Sequence, residues 1–134
     1  MADSSPKLTL SIMGKDGIIG IHKNTVNVLG QPRYISLRVS RNNEVLLLRP
    51  CEANDVMSFK TPRNFLKDHH VNFRIYSLKF VKDLLKQNEL SSNETYFLDG
   101  QYIEHENAAI FPLVTARLFN PDMEGDDLIE STER

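Results

Sequence analysis

Residues 17–51 carry the pattern that most constrains how this chain can fold. The segment 18–21 contains three isoleucines, whose stiff β-branched side chains favour a pleated strand. Val26 and Leu29 then stand three residues apart, which is the spacing of one helix face, and Gly30 offers the left-handed residue that ends many helices. The sequence therefore predicts a short strand followed by one or two turns of helix.

The same segment continues as a predicted β-hairpin. Residues 34–39 alternate between apolar and polar side chains, and residues 45–48 are almost all apolar. Between them lie Arg41, Asn42 and Asn43, which form a turn sequence because asparagine tolerates positive φ. The first unit is therefore predicted to have the order β-α-β-β.

A second unit with the same order of elements follows. Residues 71–76 alternate as a strand, and Ser77 is a suitable N-cap for a helix. Residues 95–103 and 108–119 then predict a second hairpin. Pro112 indicates that the last strand has an edge or bulged portion, because proline cannot donate a ladder hydrogen bond.

The two helices also match in spacing, with Val26 and Leu29 in the first and Val81 and Leu84 in the second. If this similarity reflects an internal repeat, we expect an approximate two-fold axis to relate the two units. Each unit would then cover the sheet edges that the other leaves open. The alternative is that two unrelated β-α-β-β pieces look alike.

The predicted fold class is mixed β with short α, a small and mostly antiparallel β-barrel built from two β-α-β-β units. The length of 134 residues suits one domain. In the region between the units, Thr61 and Pro62 predict a helical turn that carries Phe65 and Leu66 inward. The predicted segments are a disordered leader at 1–6, the first unit at 7–51, a connector at 52–70, the second unit at 71–119 and a flexible acidic tail at 120–134.

The first unit resembles a known family in three short motifs. These are Gly-Ile-Ile-Gly-Ile-His-Lys at 17–23, Leu29-Gly30 at the end of the helix, and Leu-Leu-Arg-Pro at 47–50. They resemble the AbrB/MazE-type swapped-hairpin family (SpoVT-AbrB type), here in two tandem units. The resemblance implies a barrel of interleaved units, a DNA-binding face rich in arginine and, in MazE-like members, an acidic C-terminal tail that binds a partner toxin.

The chain departs from the family pattern at positions that are prominent in DNA contact. The arginine that often follows the opening glycine is Ile18 here, and the Ile-Pro step is Ile21-His22. Val26 and Asn27 stand where basic residues often occur in the family. The resemblance therefore implies the barrel more directly than it implies the activity.

Charge is distributed unevenly along the chain. Residues 1–86 hold 14 Lys and Arg against 7 Asp and Glu, a balance of +7, whereas residues 87–134 hold 2 against 11, a balance of −9. The basic part could meet phosphates, and the acidic end could bind a protein partner or cover the basic part. The candidate nucleic-acid-binding residues are Lys15, Lys23, Arg33, Arg38, Arg41, Arg74, Lys79 and Lys82. The candidate partner-binding residues are Asp122, Glu124, Asp126, Asp127 and Glu130.

No catalytic motif accompanies these patterns, so we expect a non-enzymatic protein without a cofactor. Cys51 is the only cysteine and has no flanking nucleophile motif, which favours a structural thiol. Neither His69-His70 nor residues 104–106 have the spacing of metal ligands, so no metal site is expected.

Two functions remain open at this point. The first is a DNA-binding transcription regulator of AbrB/MazE-like type that binds double-stranded DNA through its basic face. The second is a protein-interaction module, antitoxin-like or a phage-type inhibitor, that acts through its acidic tail or the barrel surface. The N-terminus lacks the apolar core of a signal peptide, so we expect a cytoplasmic protein with no membrane association. A homodimer is a possible oligomeric state.

Overall fold

The computed structural model describes residues 7–63, 65, 67 and 73–119. This part of the chain contains nine strands, two α-helices and two short 3₁₀ turns, at Glu104–Glu106 and Leu113–Thr115. In chain order they are β1 (Leu8–Met13), β2 (Ile18–Ile21), α1 (Lys23–Val28), β3 (Tyr34–Val39), β4 (Val45–Pro50), β5 (Ser58–Lys60), β6 (Phe73–Tyr76), α2 (Leu78–Gln87), β7 (Thr95–Ile103), β8 (Ala108–Pro112) and β9 (Arg117–Leu118).

The strands form one antiparallel sheet that curves into a small, nearly closed barrel. Their order is β5-β3-β4-β8-β7-β1-β2-β6, and β9 pairs with β7. The element order strand, helix, hairpin occurs twice, as β2-α1-β3-β4 and as β6-α2-β7-β8. The predicted fold class is therefore confirmed.

Several of the strand pairings are related by an approximate two-fold axis, although β1 also pairs with β2 and no pairing of β5 with β6 occurs among the described strands. Equivalent strands of the two units pair with each other, β2 with β6 and β4 with β8, and both pairs are antiparallel. The register obeys the same relation, since Ile12 of β1 faces Tyr96 of β7 and Phe59 of β5 faces Ile35 of β3. Thus β1 and β5 occupy comparable positions, since β1 pairs with the hairpin of the second unit and β5, from the connector, pairs with the hairpin of the first.

The hydrophobic core fills the barrel interior. Side chains at alternate positions of β1 face inward, and Leu8, Leu10 and Ile12 are fully buried. Each helix adds the apolar pair that its spacing predicts, Val26 with Leu29 from α1 and Val81 with Leu84 from α2, all at most 3% exposed. Each helix therefore packs on the barrel core through one pair of apolar side chains.

The structure corrects the predicted second hairpin. Residues 108–119 form two strands rather than one, because a 3₁₀ turn at Leu113–Thr115 interrupts the ladder just after Pro112. The Thr115 hydroxyl stabilises this break by accepting from the Asp99 N–H at 3.0 Å and lying 2.6 Å from the Pro112 carbonyl oxygen, to which it can donate. Proline thus marks an irregular position, as its chemistry predicts.

The connector contains one strand that the sequence did not predict, β5. A turn follows where Thr61 and Pro62 predict one, and in it the Phe65 N–H donates to the Pro62 carbonyl oxygen at 3.2 Å. Phe65 is 3% exposed, in agreement with its predicted inward position. Leu66, the predicted leader at 1–6 and the predicted tail at 120–134 lie outside the described residues. Neither described helix has the length and apolar character needed to cross a membrane.

Candidate anion-binding cleft

The two ends of the barrel are distinguished by their helices. The α1 end is the edge at which β2 and β5 end and β3 begins, and the α2 end is the edge at which β6 and β1 end and β7 begins. At the α1 end a cavity of about 300 Å³ lies between residues 31–33 and residues 60–63, 65 and 67. We call this cavity the basic cleft.

The first wall of the basic cleft is formed by the chain leaving α1. Gly30 and Gln31 both have positive φ, +91° and +55°, and this turns the chain sharply from the helix into β3. The Gln31 N–H donates to the Val26 carbonyl oxygen at 2.9 Å, and its side-chain amide donates to Asn27 Oδ1 at 3.0 Å. Arg33 follows after Pro32 and precedes β3, so its backbone is held between a helix end and a strand.

The second wall is formed by the chain leaving β5. Lys60 pairs with Tyr34 in the sheet, and the Thr61 N–H donates to the Arg33 carbonyl oxygen at 2.8 Å, which ties the two walls together. Phe65 anchors the following turn by packing edge-to-face on Phe73, with ring centroids 5.9 Å apart. The cleft is thus built on paired strands and a buried aromatic ring.

Positive charge dominates the basic cleft. Arg33, Lys60, Arg63 and Lys67 line it, and none of the described residues in its lining is acidic. Within the part of the chain that the structure describes, none of the four forms an ion pair. Lys23 stands close by, with its Nζ 6.0 Å from the centroid of the Phe65 ring. Like charges gathered in this way attract anions.

Thr61 lines the cavity, but its hydroxyl does not open into it. Its Oγ1 is inaccessible to solvent and makes no hydrogen bond to any described residue. Because a water-sized probe cannot touch this oxygen, a ligand oxygen in the cleft cannot accept its proton either. The groups with which the described part of the cleft can bind an anion are therefore its four cations.

The eight predicted nucleic-acid-binding residues are spread over the barrel. Lys23 and Arg33 lie at the α1 end, beside or in the basic cleft. Two others are engaged by carboxylates, since Arg38 donates to Asp55 at 2.7 Å and Lys79 forms an ion pair with Asp83 at 3.0 Å.

The remaining four predicted residues lie elsewhere. Lys82 donates to the Ser92 carbonyl oxygen at 2.8 Å. Lys15 is exposed in the turn between β1 and β2, and Arg41 is exposed in the turn between β3 and β4, both at the α2 end. Arg74 is exposed on β6. The structure thus brings two of the eight together with the cleft.

Sequence reasoning missed Lys60, Arg63 and Lys67. The signal was present, since residues 60–67 contain these three cations and no acidic residue. It was overlooked because the connector was read as a linker between units rather than as part of the sheet. The predicted partner-binding acids of the tail lie outside the described residues.

Other candidate groups gain no chemical role. Burial, and secondarily the nearby Asp55 carboxylate, raise the pKa of the Cys51 thiol, which lowers its thiolate fraction and its nucleophilicity. Among the described residues no group of three His, Cys, Asp or Glu side chains is arranged to hold a metal ion. His69 and His70 lie outside that part of the chain, and residues 104–106 form an exposed 3₁₀ turn.

Comparison with known proteins adds no further assignment. No family model, no curated protein and no solved structure matches the chain.

Proposed function

We propose that the chain is a non-enzymatic DNA-binding regulator that contacts phosphates through the α1 end of its barrel. The observation that carries the proposal is the basic cleft, which Arg33, Lys60, Arg63 and Lys67 line together with no acidic side chain among the described lining residues. Lys and Arg contacts to phosphates supply most of the sequence-independent affinity of DNA-binding proteins. The AbrB/MazE-like resemblance supports the same class of function.

The position of these cations on the fold supports the proposal. Arg33 and Lys60 flank the paired residues of β3 and β5, so their backbones are fixed by the sheet rather than by a loose loop. Fixed cations lose less conformational freedom when they bind a phosphate than cations on a mobile segment do. The α1 end therefore presents a preorganised basic surface.

The test is a fluorescence-polarisation titration of a labelled generic duplex, at several salt concentrations, with the whole chain and two double variants. We expect Lys60→Gln with Arg63→Gln to weaken binding about tenfold or more at low salt and to lower the slope of log K against log salt by about 2. Lys15→Gln with Arg41→Gln is the matched control, because it removes two exposed cations at the α2 end.

The outcomes separate the proposal from its alternatives. A loss confined to the Lys60 and Arg63 variant supports the α1 end as the interface. Equal losses in both variants would show that charge over the whole surface, and not the cleft, attracts the duplex. Absence of duplex binding at low salt would overturn the DNA-binding function itself.

A protein-interaction module is the second candidate, and exposed apolar side chains favour it. Tyr76 and Leu78 are 66% and 53% exposed where β6 meets α2, and Val114 is 92% exposed. Apolar groups at the surface are a common feature of protein-binding sites. In this second function the acidic segment 120–134 contributes charge to the contact. The test changes the five candidate acids of this segment to amides and measures duplex binding. A protein-interaction module would still show no duplex binding. A DNA-binding regulator would bind the duplex more tightly, because the variant carries less negative charge.

A further inference from the structure

The basic cleft has a shape and a charge that fit one kind of anion better than others. We infer that it binds a phosphomonoester, the terminal phosphate of a nucleotide or of a nucleic-acid strand. Size and charge each support this assignment.

Size favours a chain end over the side of a duplex. The cavity of about 300 Å³ is within the range of small-molecule sites, which hold a ligand by surrounding it. A duplex presents its phosphates on a convex surface, which touches the rim of a cavity without filling it. A terminal phosphate with its sugar is narrow enough to enter.

Charge favours a monoester over a diester. Four cationic side chains line the cleft, and no described carboxylate forms an ion pair with any of them. A phosphodiester carries one negative charge, whereas a phosphomonoester carries about −1.5 to −2 at pH 7 on a single group. In the same volume, a monoester therefore neutralises more of the repulsion among the four cationic side chains than a diester does.

The inference deepens the proposed function, on whose cleft it rests, but it requires a different measurement. A duplex without terminal phosphates tests general DNA binding. A single strand with or without one terminal phosphate tests the cleft. The two can therefore fail separately.

The experiment compares two short oligonucleotides of the same sequence, both labelled at the 3′ end, one with a 5′-phosphate and one with a 5′-hydroxyl. With the whole chain at moderate salt, we expect the 5′-phosphate strand to bind at least tenfold more tightly. In the double variant Lys60→Gln with Arg63→Gln we expect this ratio to fall below about threefold, because two of the four cations that line the cleft are lost. Lys15→Gln with Arg41→Gln serves as the control and keeps the tenfold ratio.

Competition with a nucleoside 5′-monophosphate identifies the source of the phosphate. Displacement of the strand at micromolar nucleotide indicates a free nucleotide as the ligand, and resistance to millimolar nucleotide indicates a strand end. Both results support the assignment of a phosphomonoester. Equal affinity for the 5′-phosphate and 5′-hydroxyl strands overturns it, as does a tenfold ratio that persists in a correctly folded variant with Lys60→Gln and Arg63→Gln.

Discussion

The two ends of the barrel share one backbone design and differ in how they are closed. At the α2 end the Gly14 N–H donates to the Glu94 carbonyl oxygen at 2.9 Å, and at the α1 end the Thr61 N–H donates to the Arg33 carbonyl oxygen at 2.8 Å. These bonds occupy equivalent places in the two-fold arrangement of strands. Beyond them, the α2 end is tightly packed, whereas the α1 end opens into the basic cleft.

The difference arises from the connections that follow β1 and β5. Residues 14–17 join β1 to β2 in a tight turn, while residues 61–72 separate β5 from β6. A Cβ at Gly14 would stand 2.6 Å from the Ser92 carbonyl oxygen, so only glycine lets this turn lie against the chain that follows α2. Thr61 occupies the equivalent place at the α1 end, with a cavity beside it. The same scaffold thus gives a sealed end and an end with room for a ligand.

The largest expected contrast between the ends is in their glycines. Gly17 has φ +69°, and a Cβ there would collide with the Leu78 Cα, so we expect Gly17→Ala to lower the free energy of unfolding by about 3 kcal/mol. Gly30 has φ +91°, but a Cβ there would meet nothing within 4 Å, so Gly30→Ala should cost about 1 kcal/mol of backbone strain. Urea denaturation of both variants measures the difference.

The pair is its own control, because both substitutions place alanine at a positive φ. Only the packing around the added methyl group differs. Equal losses in the two variants would contradict the open space around Gly30, because an added methyl group would then meet as much resistance there as at Gly17.

The sequence predicted the strands better than it predicted the cleft. Alternation and turn residues are local signals, so the hairpin around Asn43 and the helix face of Val26 and Leu29 could be found in a single sequence. The cleft depends on β5 pairing with β3, a contact between distant segments that no local pattern encodes. Arg33 was a candidate as an isolated cation, and only the pairing of Tyr34 with Lys60 shows which other cations accompany it.

A smaller contrast is expected from the lysine that helps to seal the α2 end. Lys82 donates to the Ser92 carbonyl oxygen at 2.8 Å and lies 3.3 Å from Asn93 Oδ1, and it is half-buried. We expect Lys82→Met to lower the free energy of unfolding by about 1 kcal/mol, because these acceptors lose a charged donor. Chemical denaturation at fixed pH measures this loss.

Lys79→Met on the same helix is the matched control. Lys79 is exposed and pairs with Asp83 four residues later, an arrangement worth only about 0.3–0.5 kcal/mol. A loss for Lys82→Met no larger than that of Lys79→Met would contradict a sealing role for Lys82.

The smallest expected effect has the opposite sign and belongs to the α1 end. Lys60 stands among three other cations without a described ion pair, so its charge adds repulsion to the folded state. We expect Lys60→Gln to raise the free energy of unfolding by about 0.3 kcal/mol at low salt. The gain should vanish near 1 M salt, where screening shortens the range of charge interactions to about 3 Å. A lower free energy of unfolding at low salt would instead mean that Lys60 stabilises the α1 end, as Lys82 stabilises the α2 end. The two ends would then differ in the size of the cavity but not in the role of their lysines.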